Sequence, residues 1–280
     1  MKRAAGFTLI ELIMVIAITG ILAGMLVVFL KPAIDSYFDT QRRGALTDMA
    51  DTALRRMSQD IRSAVPNSLQ TNGNTCFELV PTIGGGRYRM AGDTVNANSL
   101  PLNTAAAATG FDVLAYVGRQ DPQQNDWVVI NNQNTGDVYG GVNRSQISAF
   151  QKPGGGAPCG AAVCQSRMTF ASQQFPVGYN DGRFVVVPGS EATVSYSCVG
   201  STLYRNATTS FGGAQCGTAG AIVATNVDCA NSSFVYDPSQ GATQQSGFIT
   251  LRLAMLGVNS AGQTQESVSL SYGVHVENLP

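Results

Sequence analysis

The residue with the most distinctive chemical setting is Glu11, which lies near the start of a long apolar segment. In residues 7–30, a run of 24 residues, Glu11 is the one ionisable side chain. A charge inside a membrane costs on the order of 2.5 to 3.5 kcal/mol and is retained when it has a partner. The setting therefore predicts a partner of opposite charge for Glu11. The alternative is that its side chain extends to the lipid headgroups.

The remaining side chains form no recognisable catalytic or transition-metal constellation. The single histidine, His275, has no nearby aspartate and no serine in a nucleophile elbow, so no triad is predicted. No C-x-x-C spacing occurs, and the cysteines lie far from His275 in sequence. We therefore predict no enzyme activity, no metal and no cofactor, with His275 on the surface. Calcium stays open, because loop oxygens at Asn125-Asp126 or Asn180-Asp181 suit that ion.

Composition and the cysteines indicate a domain outside the cytoplasm. The net charge of −1, with 12% charged residues, gives no basic surface for nucleic acid. Six cysteines, all beyond the apolar segment, predict disulfides in an oxidising compartment, with free buried thiols as the alternative. Cys159 and Cys164, with four residues between them in a glycine-rich loop, are expected to close a small ring. The cysteines are Cys76, Cys159, Cys164, Cys198, Cys216 and Cys229.

The apolar segment is long enough to span a membrane. As a helix, residues 7–30 would be about 36 Å long, against a hydrocarbon core of roughly 30 Å. Lys2 and Arg3 precede it and should stay cytoplasmic, so the C-terminal part is expected on the other side, although Lys31 conflicts mildly with this orientation. Residues 1–6 contain no separate apolar region and no A-x-A site, which argues against ordinary signal-peptidase cleavage.

The N-terminus resembles the signal of the type IV prepilin family. Gly6 stands before the family's cleavage point, Phe7 follows it, and Glu11 is the fifth residue of the mature chain. The resemblance implies that a prepilin peptidase cuts between Gly6 and Phe7 and methylates the new amino group. It also implies that the partner of Glu11 is the N-terminal amine of a neighbouring subunit. The alternative is an ordinary membrane anchor, which has no physical use for this carboxylate.

Three residues are expected to soften the helix. Gly20 and Gly24 make the segment easier to unwind, because glycine costs about 1 kcal/mol relative to alanine in a helix. Pro32 lacks an N–H and clashes with the carbonyl of Val28. A kink or a locally melted turn is therefore predicted at residues 28–32.

After Pro32 the apolar spacing predicts an amphipathic helix that packs one face on a core. The charged residues between the apolar ones include opposite-sign pairs such as Asp51 with Arg55. We interpret them as a solvated face, with a subunit-recognition face as the alternative. Pro66 and the polar residues after it end the helix near residue 65. The apolar stripe comprises Ile34, Phe38, Ala45, Leu46, Met49, Ala50, Ala53, Leu54, Met57 and Ile61.

In the segment from residue 75 to 174, strands are predicted at 76–80, 111–118 and 127–131, and most of the remainder is predicted to be loop. Its two glycine triplets, at 84–86 and 154–156, have the composition of a phosphate-binding loop. Neither belongs to G-x-x-x-x-G-K-[ST], or to G-x-G-x-x-G between a strand and a helix, so we interpret both as flexible loops.

Beyond residue 182 the strand pattern is clearer. Residues 183–187 and 192–198 are expected to form a hairpin, followed by a strand at 203–205. Residues 249–255 and 268–276 alternate apolar and polar side chains, which predicts a closing hairpin with one core face and one wet face.

These elements, with the resemblance, indicate an α+β fold of the type IV pilin kind. A long N-terminal α-helix, transmembrane in its first half and amphipathic in its second, packs on a mainly antiparallel β-sheet domain with disulfides. The expected parts are a leader at 1–6, a transmembrane helix at 7–30, its amphipathic soluble part at 31–65 and a periplasmic β-rich domain at 66–280.

Three shorter stretches extend the resemblance to minor pilins. Residues 55–62 (RRMSQDIR) resemble the W and J types and especially the O type of mannose-sensitive haemagglutinin (MSHA) pili, and residues 85–89 (GGRYR) and 274–278 (VHVEN) are similar to the O type. The resemblance implies a subunit of the tip or priming complex that starts pilus assembly, held in the inner membrane with its domain in the periplasm and later at the extracellular pilus tip.

The resemblance also implies partners: other minor pilins, the major pilin, a prepilin peptidase and the inner-membrane assembly platform. Two alternatives remain from other classes. One is a minor pseudopilin of type II secretion, which drives export of other proteins. The other is a membrane-tethered periplasmic binding protein or enzyme, which gives no reason for Glu11 or the cleavage motif.

The mature protein is expected to begin with N-methylated Phe7. Replacing Gly6 by alanine or a bulkier residue should leave the leader attached, because the resemblance places Gly6 immediately before the cut. The intact mass of membrane-extracted protein measures both outcomes. An unprocessed Met1 terminus in cells with an active prepilin peptidase would contradict the resemblance.

Overall fold

The computed structural model describes residues 8–153, 165–178, 182–212, 216–240, 246–258 and 264–277. One long helix, α1 (Leu9–Arg62), packs on antiparallel sheets, and a short helix, α2 (Thr135–Gly140), follows β5. The strands are β1 Gln70–Thr71, β2 Cys76–Leu79, β3 Gly84–Tyr88, β4 Ala108–Gly118, β5 Trp127–Val129, β6 Arg144–Gln151, β7 Ser166–Gln173, β8 Arg183–Val187, β9 Thr193–Val199, β10 Thr202–Thr208, β11 Ala221–Thr225, β12 Ser233–Gln240, β13 Ser246–Val258 and β14 Thr264–Glu277.

Only the C-terminal part of α1 contributes to the core. Its buried apolar residues begin at Leu46 and end at Ile61, in the helical spacing that the sequence predicts. Ile34, Phe38 and Ala45, which the sequence places on the same stripe, are exposed, so that part of the prediction is wrong. The spacing itself is helical, but the apolar residues packed against the buried face begin only at the level of Leu46.

The helix runs without interruption through Pro32, so the predicted melted turn is absent from the described residues. A proline removes one N–H from the helical ladder, and the bonds on either side hold residues 28–32 in helical conformation. Whether Pro32 bends the axis stays a prediction.

Two sheets share the main core with α1. One has five strands in the order β1-β2-β9-β10-β11, and the other has three in the order β12-β13-β14. The predicted closing hairpin is confirmed as β13 and β14, with Leu253 opposite Leu270 and the apolar face turned towards the core. Phe77 stacks on Tyr196 and meets Phe234 edge-on, which joins the two sheets across this core.

A closed barrel of six strands, in the order β3-β4-β7-β6-β5-β8, forms a second core. Phe111 lies at its centre, with the rings of Tyr88, Phe170 and Phe184 at 5.2 to 5.6 Å. Strands β3, β6 and β7 and helix α2 lie in the part of residues 75–174 that the sequence assigns mostly to loop, so the prediction missed these four elements. Their strands are short and mix polar and apolar side chains, a pattern that alternation over a few residues does not separate from loop.

The glycine triplet at 84–86 is part of β3 and not a flexible loop. A Cβ on Gly84 would stand 2.6 Å from the Cα of Gly118, and one on Gly86 would collide with the carbonyl oxygen of Ala115. The glycines therefore serve close approach of strands at the barrel wall. The triplet at 154–156 lies outside the described residues.

The predicted hairpin of residues 183–187 with 192–198 is also wrong. Strand β8 pairs with β3 and β5 in the barrel, whereas β9 pairs with β2 and β10 in the five-stranded sheet. The turn at Pro188 carries the chain from one sheet to another. Residues 203–205 do form a strand, as part of β10.

Two disulfides tie the five-stranded sheet to later segments. Cys76 of β2 bonds to Cys216, and Cys198 of β9 bonds to Cys229. The disulfide prediction is thus confirmed for four cysteines. Cys159 and Cys164, with the ring predicted for them, lie outside the described residues.

Both disulfides are expected to stabilise the domain strongly. They close loops with sequence separations of 140 and 31 residues, for which the loss of unfolded-chain entropy is about 3 to 5 kcal/mol each. Replacing Cys198 and Cys229 together by alanine should lower the denaturant midpoint of the oxidised protein.

Maleimide labelling of unfolded, unreduced periplasmic protein is the matched control for that measurement. We expect no label on the four bonded cysteines, and none on Cys159 or Cys164 if they form the predicted ring. Label on Cys76, Cys198, Cys216 or Cys229 would contradict the pairing.

Candidate assembly site

Glu11 lies in the first turn of α1, where the helix cap holds it. The side-chain oxygen of Thr8 accepts a hydrogen bond from the Glu11 N–H at 3.4 Å, and the Thr8 hydroxyl donates to the Glu11 carboxylate at 3.5 Å. Threonine is a good N-cap, and an acidic residue in the first turn suits the positive end of the helix dipole. Gly6 and Phe7, the residues of the predicted cleavage, lie outside the described residues.

The helix around Glu11 has no protein packed against it. Every residue from Leu9 to Leu30 is exposed, and the most apolar window of α1 has a mean hydropathy of 2.8 with none of it buried. By length and composition α1 can cross a membrane, which fits a single-pass anchor. Among the described residues Glu11 forms no ion pair.

Gly20 and Gly24 lie on the exposed helix, one turn apart. A Cβ at either position would meet nothing within 4 Å, so no contact inside the molecule requires glycine there. Thr19, beside Gly20, donates its hydroxyl to the carbonyl of Val15 at 2.8 Å, a bond that satisfies the polar group within the helix. The predicted flexibility at Gly20, Gly24 and Pro32 remains a prediction.

A short stalk separates the apolar segment from the domain. Between residue 31 and Leu46, the side chains of Ile34, Tyr37 and Phe38 are 51%, 67% and 55% exposed, and the two rings pack edge-on at 5.8 Å. Sequence reasoning missed this apolar patch because the residues continue the periodicity of the buried stripe. Only the extent of the sheets shows that they lie beyond the core.

The charged face of α1 does more than face solvent. Asp60 accepts hydrogen bonds from the Tyr196 hydroxyl at 2.8 Å and from Nε of Arg205 at 2.9 Å, and the guanidinium of Arg205 also binds Glu191 through two bonds of 3.0 and 3.1 Å. These contacts join α1 to strands β9 and β10. The interpretation of the charges as a purely solvated face is therefore too simple.

A second contact joins α1 to the three-stranded sheet. The Tyr272 hydroxyl of β14 donates to Asp51, whose carboxylate also binds Nε of Arg55 at 2.6 Å. The hydrogen bond from Tyr272, followed by that from Arg55, lowers the pKa of Asp51. The predicted pair of Asp51 with Arg55 is thus present, with Tyr272 as an additional partner.

Burial also affects the pKa values of Tyr196 and Arg205, the two side chains that bind Asp60. Desolvation and then the charge of Asp60 raise the pKa of Tyr196 well above its usual value. Desolvation alone would lower the pKa of Arg205, but its hydrogen bonds to Glu191 and Asp60 outweigh that effect and raise the pKa. Both side chains therefore stay protonated under physiological conditions.

Other sequence candidates lie apart from this site. His275 is exposed on β14, with its ring edge-on to Phe248 at 5.1 Å. Asp126 accepts hydrogen bonds from the backbone N–H groups of Gln123 and Gly189, so its carboxylate closes a loop. In the described part of the chain, no group of three or more His, Cys, Asp or Glu side chains could hold a metal ion.

Tyr196→Phe should lower the free energy of unfolding by about 1 to 2 kcal/mol at neutral pH, because Asp60 loses a buried donor. The pKa of Tyr196 is raised in the folded state, so this stabilisation is complete below about pH 10 and is lost as pH rises above it. Urea unfolding across that range should show a smaller alkaline loss in Tyr196→Phe than in wild type. Tyr204→Phe, on neighbouring β10, is the matched control, and equal alkaline losses in Tyr196→Phe and wild type would contradict the assignment.

Comparison with known proteins adds one match, at the N-terminus. Residues 1–27 match the family model described as the prokaryotic N-terminal methylation motif. No curated protein and no solved structure matches the chain. The match covers Glu11 and the start of α1, and the fold beyond it, a long apolar helix packed on antiparallel sheets, has type IV pilin-like architecture. The chain therefore carries the N-terminal methylation motif that is typical of type IV pilin-like proteins.

Proposed function

We propose that this protein is a minor pilin, a subunit of the tip or priming complex that initiates assembly of an MSHA-like type IV pilus. The observation that carries the proposal is Glu11: a carboxylate without an ion pair among the described residues, on the exposed apolar part of α1, inside an N-terminal methylation motif. An isolated anchor gives such a carboxylate no role, whereas assembly of subunits through their helices supplies a counter-charge.

The counter-charge in this proposal is the mature amino group of Phe7 on a neighbouring subunit. After cleavage between Gly6 and Phe7, the new amine lies four residues from Glu11, which is about 6 Å along a helix. An α-amino group has an ordinary pKa of about 7.7 to 8.0, so it is mostly protonated at neutral pH. A neighbour displaced axially by about one helical turn would bring its amine to Glu11, and the pair would neutralise both charges.

The stalk and the domain provide two further observations that support assembly into a filament. The exposed apolar patch at Ile34, Tyr37 and Phe38 continues the lipid-facing surface beyond the length of a membrane, where neighbouring helices in a filament would cover it. The six-stranded barrel and disulfide-bonded sheets make the domain large for a repeating shaft subunit, which favours a minor role.

Processing and location follow from the same proposal. A prepilin peptidase removes residues 1–6, residues 7–30 hold the protein in the inner membrane, and residues 66–280 fold in the periplasm before reaching the pilus tip. Gly20, Gly24 and Pro32 give the helix the freedom to unwind as it leaves the bilayer. The partners are other minor pilins, the major pilin and the inner-membrane assembly platform.

Proteins with this motif are typically structural, and we propose no enzymatic activity for this one. The nearest competitor is a minor pseudopilin of type II secretion, which uses the same helix and the same carboxylate. Deletion of the gene distinguishes them: loss of surface fibres with normal export supports a pilin, and loss of export with normal fibres supports a pseudopilin.

Glu11→Ala is expected to insert in the membrane and to be cleaved normally, yet to fail in fibre assembly and in cross-linking to partner minor pilins. Glu11→Asp should be partly active, because it keeps the charge on a shorter side chain. Fibre counts by electron microscopy and cross-linking yields from cells measure both.

Ile10→Ala is the matched control, since it changes the adjacent exposed residue and keeps the carboxylate. Wild-type fibres and cross-linking in the Glu11→Ala strain would show that the charge has no part in docking and that Glu11 only reaches the headgroups.

A further inference from the structure

Strand β14 ends the three-stranded sheet, and within the described residues no strand pairs with its outer edge. It runs for 14 residues and is paired along its length with β13. An unpaired edge presents a row of backbone N–H and C=O groups that another chain can bind.

The hydrogen bonds on the β12 side of β13 show in which direction each backbone group of β13 points. The Ala254 N–H donates to the Ser232 side chain at 3.0 Å, and the Ala254 carbonyl accepts from the Asp228 N–H at 2.8 Å. Both partners lie on the β12 side of the sheet. Because antiparallel residues alternate in direction, Leu253 turns its backbone groups towards β14.

The same alternation identifies the outward groups of β14. Leu270 stands opposite Leu253 and therefore uses its backbone groups in the ladder with β13. Ser269, Ser271 and Gly273, at the intervening positions, direct theirs to the free edge, and all three residues are exposed. The ladder is regular here, since its one register shift falls at Gly257.

The two edges of this sheet differ in their protection against pairing. Edge strand β12 contains Pro238 and has a register irregularity after Asp237, both of which obstruct a further strand. Residues 267–275 of β14 contain neither proline nor lysine, and serine and glycine occupy most outward positions. The free edge of β14 is thus suited to accept a strand.

A basic groove of about 510 Å³ lies beside this edge. Its lining includes Tyr272 and Gly273 of β14, Arg55 and Arg62 of α1, and Arg119 at the end of β4. Arg55 binds Asp51, but Arg62 and Arg119 form no ion pair with any described residue, and both are exposed. The groove therefore places cationic groups beside the edge of β14 at Tyr272 and Gly273.

We infer that this edge binds an extended, acidic segment of another protein as an additional strand. Backbone pairing with Ser269, Ser271 and Gly273 would extend the sheet, and alternate side chains of the segment would face the arginines of α1 and the barrel. Carboxylates at those positions match Arg62 and Arg119 in charge. The inference goes beyond pilus assembly and holds for any partner that presents such a strand.

A second copy of this chain fits the groove poorly. Pairing of β14 with itself would bring two sets of the same arginines together, and the acidic Glu266 of β14 is already bound to Arg43. Edge strand β11 of the five-stranded sheet has the sequence AIVAT and brings no carboxylate, and edge strand β12 is obstructed by Pro238.

The test uses the full-length protein in detergent and a peptide of about seven residues in which glutamate and valine alternate. Lysine in place of glutamate gives the charge control, and a central proline gives the pairing control. We expect saturable binding that weakens with salt, and a loss of about tenfold or more with either control peptide. Hydrogen exchange should show new protection at Ser269, Ser271 and Gly273, whereas Leu270 is protected with or without peptide.

Two variants separate the backbone from the charges. Ser271→Pro removes an outward N–H on an edge strand that tolerates proline, while Ser271→Ala keeps it, so only the first should weaken binding. Arg62→Glu with Arg119→Glu should reverse the preference towards the lysine peptide. No saturable binding, equal binding of all peptides, or dimerisation through β14 that excludes the peptide would overturn the inference.

Discussion

Burial of one face of α1 against two sheets is the interaction on which the rest of the structure depends. Leu54 and Met57 are completely buried at its centre, and each such side chain contributes about 1.5 to 3 kcal/mol relative to an exposed one. The buried apolar contact of α1 with the sheets begins at Leu46, and Arg43 just before it binds Glu266 of β14. Within the part of the chain that the structure describes, the apolar side chains before Leu46 are exposed, and their surface stays available for lipid or for other helices.

Polar contacts fix the direction of α1 on that core. Asp51 binds Tyr272 of the three-stranded sheet, and Asp60 binds Tyr196 and Arg205 of the five-stranded sheet. Apolar burial has little directional preference, whereas these hydrogen bonds specify one rotation of the helix about its axis. Since α1 is continuous from Leu9 to Arg62, these contacts also set the azimuth of Glu11 relative to the domain as long as the helix stays wound.

Sequence reasoning succeeded where the signal is local and failed where it depends on distant pairing. Spacing within a few helical turns predicts the apolar run and the setting of Glu11. Two alternating segments joined by one chain turn predict the hairpin of β13 and β14. The barrel could not be predicted in this way. Strand β3 begins with three glycines because its backbone lies close to Gly118 and Ala115 of β4, and the local sequence does not show that closeness. Similarly, the sequence of β8 predicts one strand of a hairpin with the segment that follows it. Nothing near residue 188 shows that the partners of β8 are β3 and β5.

The two cores meet immediately after α1, and that junction explains how distant arginines come together. The Val65 N–H donates to the Val80 carbonyl at 2.8 Å, and Val65 packs with Val80, Val129 and Val187 where the chain crosses between sheet and barrel. The Arg119 N–H donates to the Ile83 carbonyl at 2.8 Å on the barrel rim. Because the rim is attached next to the helix end, Arg119 and Arg62 line the same groove, although 57 positions separate them in sequence. The basic groove is therefore a product of the junction, and its geometry is preformed by the same contacts that hold the barrel to the helix.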